Sequence, residues 1–80
     1  MTYFVYIIYS AKANKYYIGQ TEHLEVRIEE HRIKKNLGVN DWVLKYSEEF
    51  LTRSEAMKRE YEIKKKKTRS YLEWLISQVG

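Results

Sequence analysis

The chain has 80 residues, so it can form one small domain over residues 1–80 but not two separate cores. It contains no cysteine, which excludes disulfide bonds, thiol nucleophiles and cysteine-ligated zinc or iron–sulfur sites. Its longest apolar run, residues 3–9, is too short to span a bilayer and follows no basic leader. We therefore expect a globular cytoplasmic protein with no membrane segment and no signal peptide.

The formal net charge of +4 lies in one segment near the C-terminus. Residues 1–63 hold ten basic and ten acidic side chains, so they sum to zero. Residues 64–80 hold one acidic residue, Glu73, and five basic residues, which are Lys64, Lys65, Lys66, Lys67 and Arg69. Such a patch attracts polyanions such as nucleic acid or an acidic membrane surface, although a lysine run also serves simply to keep a small protein in solution.

The N-terminal residues predict a β-hairpin. Residues 3–9 are dense in β-branched and aromatic side chains on both faces, which is typical of a central strand covered on both sides. Residues 10–15 form a polar connector, and a second strand over residues 16–18 ends at Gly19.

A helix is predicted next, from about Glu22 to about Lys35, with Thr21 as its N-cap and with Asn36 and Gly38 ending it. Its apolar residues do not form a single stripe. One face holds Leu24, Arg27, Ile28 and His31, and the nearly opposite face holds Val26 and Ile33. Periodicity alone therefore leaves open which side of this helix is buried.

The second half of the chain predicts a short third strand over residues 42–46 and two further helices. Thr52 and Glu55 form a capping box that begins the first of these helices. Ser70 and Glu73 form a second capping box that begins the last one. The final helix carries an apolar stripe of Leu72, Leu75, Ile76 and Val79. The predicted order is β-β-α-β-α-α.

Two pairs of residues could carry chemistry, while glycine-rich phosphate loops, nucleophile elbows and His-Glu-x-x-His motifs are absent. Tyr6 and Tyr17 lie on the paired strands and could direct their hydroxyls into one pocket, although tyrosine is also an ordinary sheet residue. Arg27 and His31 lie four residues apart on one helix face. Arginine suits a phosphate and histidine can exchange a proton near neutral pH, but the spacing also fits a solvated pair.

A third candidate is Glu60, which lies between Ala56 and Ile63 on one face of its predicted helix. A carboxylate in such a place is costly unless it is paired or bound to a metal. A hard cation such as Mg²⁺ takes oxygen ligands and often uses one or two carboxylates. An ion pair with a nearby arginine or lysine explains the residue equally well, and both interpretations stay open at this stage.

Short motifs occur in order along the chain: Val5-Tyr6-Ile7, Tyr17-Ile18-Gly19, Leu24-x-x-Arg27-Ile28-x-x-His31, Trp42-Val43-Leu44, Glu48-Glu49-Phe50, Arg53-Ser54-Glu55-Ala56 and Arg59-Glu60. Together they resemble the GIY-YIG nuclease superfamily, and in particular its small stand-alone bacterial branch. The resemblance implies an α+β fold in which a three-stranded antiparallel sheet is flanked by three helices. It also implies that Leu24 and Ile28 face the sheet, with Arg27 and His31 at the rim of a pocket and the opposite helix face exposed.

The same resemblance implies metal-dependent hydrolysis of a DNA phosphodiester. Tyr6 and Tyr17 would line the centre, and Tyr6 would help to deprotonate the attacking water once a metal, Arg27 or His31 lowers its pKa. Arg27 would stabilise the negative charge of the transition state. His31 would accept a hydrogen bond from a tyrosine or water, or shuttle the proton. Glu60 would hold one Mg²⁺ or Mn²⁺.

The chain departs from the family pattern in three ways. The first motif reads Val5-Tyr6-Ile7 rather than Gly-Ile-Tyr, although its tyrosine is retained. Many family nucleases carry an asparagine after the metal-binding glutamate, but residues 64–76 contain none, so a lysine from 64–67 or Arg69 is expected to contact phosphate instead. The chain has no separate DNA-binding domain, so we expect weak, structure-guided binding to DNA, a role in repair or recombination, and targeting by a partner protein. Gly19 would let backbone pass close to the substrate or to a neighbouring helix.

Two functions of other classes also fit the sequence. One is a non-catalytic nucleic-acid-binding module that uses the basic residues 64–69 and exposed tyrosines. The other is an interaction protein whose final helix docks through Trp74 onto a partner or a second copy of the chain.

Overall fold

The central strand of a three-stranded antiparallel sheet organises the fold. The computed structural model describes residues 2–66 and 68–78, and the sheet order is β2-β1-β3. The strands are β1 (Tyr3–Ser10), β2 (Lys15–Thr21) and β3 (Val43–Phe50), and the helices are α1 (Leu24–Ile33), α2 (Arg53–Lys66) and α3 (Arg69–Ser77). The predicted α+β class and the order β-β-α-β-α-α are both confirmed. Within the described residues, no helix has the length and apolar character needed to cross a membrane.

Strand β1 is covered on both faces, as its composition predicts. On one face Val5 and Ile7 pack with residues of α2 and α3, namely Ala56, Ile63 and Leu75. On the other face Tyr6 and Ile8 pack with Ile28 of α1 and with Trp42. Because side chains alternate along a strand, a run that is apolar at every position supplies both of these cores.

Helix α1 buries the side that periodicity left undecided. Ile28 and His31 are buried, whereas Val26 and Ile33 are 61% and 71% exposed. The helix begins at Leu24 rather than near Glu22, so the prediction of Thr21 as its N-cap is wrong. Thr21 is the last residue of β2, and its Oγ1 accepts a hydrogen bond from the backbone N–H of His23 at 3.1 Å.

Two strand boundaries also differ from the prediction. Strand β2 continues through Gly19 because this residue pairs with Tyr6 in the β1–β2 ladder. Strand β3 begins at Val43 and continues to Phe50, so it is longer than predicted, and Trp42 lies outside it with its ring fully buried.

The first predicted capping box is present in part, because Thr52 caps the N–H of Glu55 while Glu55 bonds to the Thr52 hydroxyl and not to its backbone N–H. Thr52 Oγ1 accepts from the N–H of Glu55 at 3.2 Å, and the Glu55 carboxylate accepts from the Thr52 hydroxyl at 3.0 Å. The second prediction is wrong, because α3 begins at Arg69 and its N-cap is Thr68, which accepts from the N–H of Tyr71. Val79 of the predicted apolar stripe lies outside the described residues.

Candidate active site

Tyr6, Tyr17 and His31 meet on the sheet face that α1 covers. The hydroxyl of Tyr6 lies 2.9 Å from Nε2 of His31. The ring of Tyr17 is tilted against the His31 ring with centroids 4.6 Å apart, and it lies 6.4 Å from the ring of Tyr6. The antiparallel register explains this meeting, because Tyr6 pairs with Gly19 and Tyr17 lies two residues away on the same face of β2.

Gly19 provides the space that the Tyr6 phenol occupies. A Cβ atom at this position would lie 2.6 Å from Tyr6 Oη and 2.8 Å from Tyr6 Cζ, which is closer than real Cβ atoms approach other atoms. A close approach was expected at Gly19, from the substrate or from a neighbouring helix. The group that approaches it is a tyrosine from the adjacent strand.

Asn36, which the sequence did not single out, contacts the other side of His31. Its Nδ2 lies 3.0 Å from Nδ1 of His31, and its backbone carbonyl accepts a hydrogen bond from Nε1 of Trp42 at 3.1 Å. The only sequence signal was the pair Asn36 and Gly38, which predicts the end of a helix and a turn but no contact with a particular side chain.

Burial sets the protonation states of Tyr6 and His31. Burial raises the pKa of Tyr6 to about 12, and the nearby guanidinium of Arg27 only partly opposes this rise. Burial also lowers the pKa of His31, and the positive charge of Arg27 lowers it further. Near neutral pH the site therefore holds a protonated phenol next to an uncharged imidazole.

Arg27 and His31 line a shallow pocket of about 270 Å³ beside this pair, together with Tyr17, Glu30, Lys34 and Asn36. Arg27 Nη1 lies 3.2 Å from Oε1 of Glu30, and this bond raises the pKa of the guanidinium. An anion in the pocket would meet the charges of Arg27 and Lys34 opposed by the carboxylate of Glu30. Arginine keeps other N–H donors for such an anion, because its guanidinium carries five of them.

Glu60 projects from α2, which covers the opposite face of the sheet. Its side chain is 18% exposed, and its Oε2 lies 2.6 Å from Nζ of Lys64. Of the two interpretations that the sequence left open, the ion pair is the arrangement that the structure contains. The negative charge of Glu60 makes only a minor contribution to the raised pKa of Tyr6.

The donor atoms around Glu60 fit a divalent cation. Gln20 and Glu60 line the same small pocket, and Gln20 Oε1 is buried with no hydrogen-bond partner among the described residues. A carboxylate and an amide oxygen are hard ligands of the kind that Mg²⁺ uses, with water and phosphate completing the coordination. Residues 2–66 and 68–78 contain no cluster of three or more histidine, aspartate or glutamate side chains.

Only part of the predicted basic patch is free to bind a ligand. Lys64 is paired with Glu60, and Lys66 lies over the ring of Tyr71 with Nζ 5.7 Å from the ring centroid. Lys65 is exposed, and Lys67 lies outside the described residues. On α3, Trp74 is 56% exposed, as docking through this helix would require.

Arg69, the remaining basic residue of the patch, connects α3 to the hairpin loop. Its Nη2 donates to Oδ1 of Asn14 at 2.8 Å, and its Nε donates to Glu73 at 3.3 Å. Its guanidinium also lies over the rings of Tyr9 and Tyr16, 5.7 and 5.3 Å from their centroids. Any phosphate contact by Arg69 would compete with these interactions.

Comparisons with known proteins identify the family of the chain. The family model described as the GIY-YIG catalytic domain matches residues 2–72. A UPF0213 protein from Staphylococcus haemolyticus is 42% identical over 66 residues, which cover 78% of this chain and 79% of that protein. The solution NMR structure of a UPF0213 protein from Bacillus halodurans has a TM-score of 0.64 and 31% sequence identity, covering 100% of this chain and 87% of that one. The chain therefore belongs to the GIY-YIG family, a family of nucleases that act on nucleic acid and generally use a divalent metal.

Proposed function

We propose that this protein is a Mg²⁺- or Mn²⁺-dependent DNA endonuclease that hydrolyses phosphodiester bonds. The observation that carries the proposal is that three of the motif residues, Tyr6, Tyr17 and His31, meet on one face of the sheet. Tyr6 and His31 are in direct contact, and the positive charge of Arg27 lowers the pKa of both.

Tyr6 is assigned the role of base toward the attacking water. With a pKa of about 12, only about one Tyr6 phenol in 10⁵ is ionised at pH 7. Arg27 favours the phenolate and would also stabilise the negative charge that develops on the phosphate. A divalent cation, when bound, would supply further positive charge and polarise the phosphate.

Glu60 and Gln20 would hold that cation. Lys64 must then release the Glu60 carboxylate, because the ion pair occupies Oε2. Once released, the ammonium group of Lys64 would be available to a phosphate bound at that cation. Lys64 would thus make the phosphate contact for which many related nucleases use an asparagine.

Weak and structure-guided binding to DNA follows from the small number of basic side chains that remain exposed. Lys65 is exposed and Lys66 stays exposed beside the Tyr71 ring, so these two can still contact phosphates, and each contact adds modest affinity that salt reduces. We therefore assign the protein to branched or damaged DNA in the cytoplasm, in repair or recombination, with a partner protein supplying further targeting.

The experiment that tests this function is cleavage of supercoiled plasmid and labelled branched DNA with Mg²⁺, Mn²⁺ or chelator. Glu60→Gln is the test variant, and Glu62→Gln is the matched control because Glu62 is an exposed glutamate on the same helix. We expect metal-dependent cleavage by the wild type and Glu62→Gln, and at least about 100-fold slower cleavage by Glu60→Gln. Cleavage that persists in Glu60→Gln or in chelator would contradict the proposal.

The second candidate is a nucleic-acid-binding module without catalysis. The ion pair between Glu60 and Lys64 favours it, because the carboxylate has a partner without any metal. This function predicts salt-dependent gel shifts that are equal for wild type and Glu60→Gln, with no cleavage in either metal. That combination of results would select it over the endonuclease.

A further inference from the structure

His31 is held at both ring nitrogens by side chains from different parts of the chain. On one side Nε2 lies 2.9 Å from the hydroxyl of Tyr6 on β1. On the other side Nδ1 lies 3.0 Å from Nδ2 of Asn36, in the loop after α1. An amide nitrogen can only donate a hydrogen bond, so the Nδ1 atom that faces it must be an acceptor.

The surroundings of His31 favour an imidazole with a single proton. The cations Arg27 and Lys34 on its own helix lower its pKa together with burial, and the carboxylate of Glu30 opposes them only in part. The rings of Tyr17, on β2, and of Trp42, just before β3, pack beside it. If Nδ1 carries the lone pair, the one proton must be on Nε2, where it points at Tyr6.

The backbone of the loop holds Asn36 beside His31. Its carbonyl accepts from Nε1 of Trp42 at 3.1 Å and from the N–H of Val39 at 3.3 Å. The neighbouring residues Lys35 and Leu37 both have left-handed backbone conformations, with φ of 50° and 58°. Leu37 is 56% exposed, so burial of its side chain does not explain that strain, and backbone strain of this kind persists where the surrounding contacts fix it.

We propose that Asn36 is a positioning residue that fixes His31 as the Nε2–H tautomer, so that His31 donates a hydrogen bond to Tyr6 and does not take its proton. The catalytic part of this inference rests on the proposed function. When the O–H bond of Tyr6 breaks, its electron pair stays on Oη and the proton passes to solvent. The phenolate then keeps the Nε2–H hydrogen bond of His31 and accepts a proton from the attacking water.

This assignment reverses the direction that the sequence analysis expected for His31. A histidine that accepts from tyrosine would act as a proton shuttle, and its nitrogen atom would gain a proton in the reaction. A histidine that donates to tyrosine stabilises the phenolate and keeps the same single proton throughout. The second role needs a partner for Nδ1, and Asn36 is that partner.

The test is the tautomer of His31, measured by long-range ¹H–¹⁵N NMR on ¹⁵N-labelled wild-type protein near pH 7. We expect the spectrum of a protonated Nε2 and an unprotonated Nδ1. A protonated Nδ1 with an unprotonated Nε2 would overturn the proposal, and this result needs no variant that might fail to fold. The exposed His23 in the same spectrum serves as an internal reference.

Asn36→Asp provides the matched variant, because a carboxylate accepts hydrogen bonds where the amide nitrogen donates. We expect a proton to appear on Nδ1 of His31, while the indole signal of Trp42 reports that the loop keeps its fold. A folded Asn36→Asp protein in which Nδ1 of His31 stays unprotonated would contradict the role of Asn36.

The two proposals can fail separately. If the wild type shows no nuclease activity, the proposed function fails, while the tautomer of His31 still decides the role of Asn36.

Discussion

The phenol of Tyr6 is the most constrained polar group of the candidate active site. It is 1% exposed, its hydroxyl contacts His31, and the missing side chain of Gly19 leaves room for its Oη atom. Burial raises its pKa to about 12, so the residue is placed for chemistry that it cannot perform at neutral pH without added positive charge. Arg27 supplies part of that charge, and a bound cation would supply more.

At Gly19 we predict that substitution by alanine disturbs the site through the Tyr6 ring. Because the new Cβ would lie 2.6 Å from Tyr6 Oη, the ring must move, and we expect the free energy of unfolding to fall by about 1–3 kcal/mol. Urea unfolding followed by circular dichroism measures this change. The loss should be smaller in a Tyr6→Phe background, which lacks the nearest atom, and an equal loss in both backgrounds would contradict the packing explanation.

At His31 we predict a loss of stability on mild acidification. Its pKa is lowered in the folded state, whereas the unfolded chain titrates near pH 6.5, so below that pH the unfolded state binds more protons. The stabilisation is complete above about pH 6.5 and is lost as the pH falls through the lower folded pKa.

Denaturant unfolding between pH 7 and pH 5 measures this effect. We expect the dependence of the free energy of unfolding on pH to disappear in His31→Gln. It should persist in His23→Gln, because His23 is exposed. Asp41, whose pKa is lowered by hydrogen bonds from Ser10 and Lys12, acts only below about pH 4 and does not interfere. A wild type with constant stability over this range would contradict the prediction.

At the scale of elements, the existence of each strand and helix could be predicted, but several boundaries could not. Gly19 looked like a strand end, yet it lies within β2 because Tyr6 needs a glycine opposite it. Thr68 and Ser70 are both acceptable helix N-caps, and only the extended backbone at Thr68 selects it. These boundaries depend on tertiary contacts that a local pattern does not contain.

The junction between α3 and the hairpin loop gives a prediction for Arg69. Its guanidinium contacts Asn14 and lies over two tyrosine rings, so Arg69→Gln should loosen the loop. Lys12 and Lys15 are trypsin sites in or beside that loop, and we expect faster cleavage there, followed by mass spectrometry of the first fragments. Lys65→Gln is the control, and equal cleavage rates for the two variants would refute this role of Arg69.

At the scale of the whole molecule, the candidate residues lie on both faces of one sheet, with Tyr6, Tyr17 and His31 on the face that α1 covers and Glu60 on the helix that covers the other face. The meeting of Tyr6, Tyr17 and His31 could be predicted because their spacing in the sequence resembles the family pattern. The roles of Asn36 and Gln20 could not be predicted from the sequence. Asn36 reaches His31 through a loop with left-handed residues. Gln20 lines a pocket with Glu60 only because α2 packs against β2. The sequence also did not indicate that Lys64 and Arg69 are engaged within the protein.

The exposed lysines of the basic patch predict how DNA binding depends on salt concentration. If Lys65 and Lys66 contact phosphates, the slope of log K against log salt should fall by about 0.9 for each lysine removed. Fluorescence anisotropy with labelled duplex DNA measures the slope for Lys65→Gln/Lys66→Gln. Lys12→Gln, an exposed lysine on the hairpin loop, is the control, and an unchanged slope in the double variant would place the DNA elsewhere.

The central claim is that Tyr6 and Glu60, from opposite faces of the sheet, act on one phosphodiester. The most direct test is the single-turnover rate of Mg²⁺-dependent DNA cleavage by wild type, Tyr6→Phe, Glu60→Gln and the double variant. We predict that each single variant is at least about 100-fold slower and that the double variant is little slower than the worse single one, because residues acting as a unit are not additive. Multiplicative losses, or a wild-type rate in either single variant, would contradict the claim.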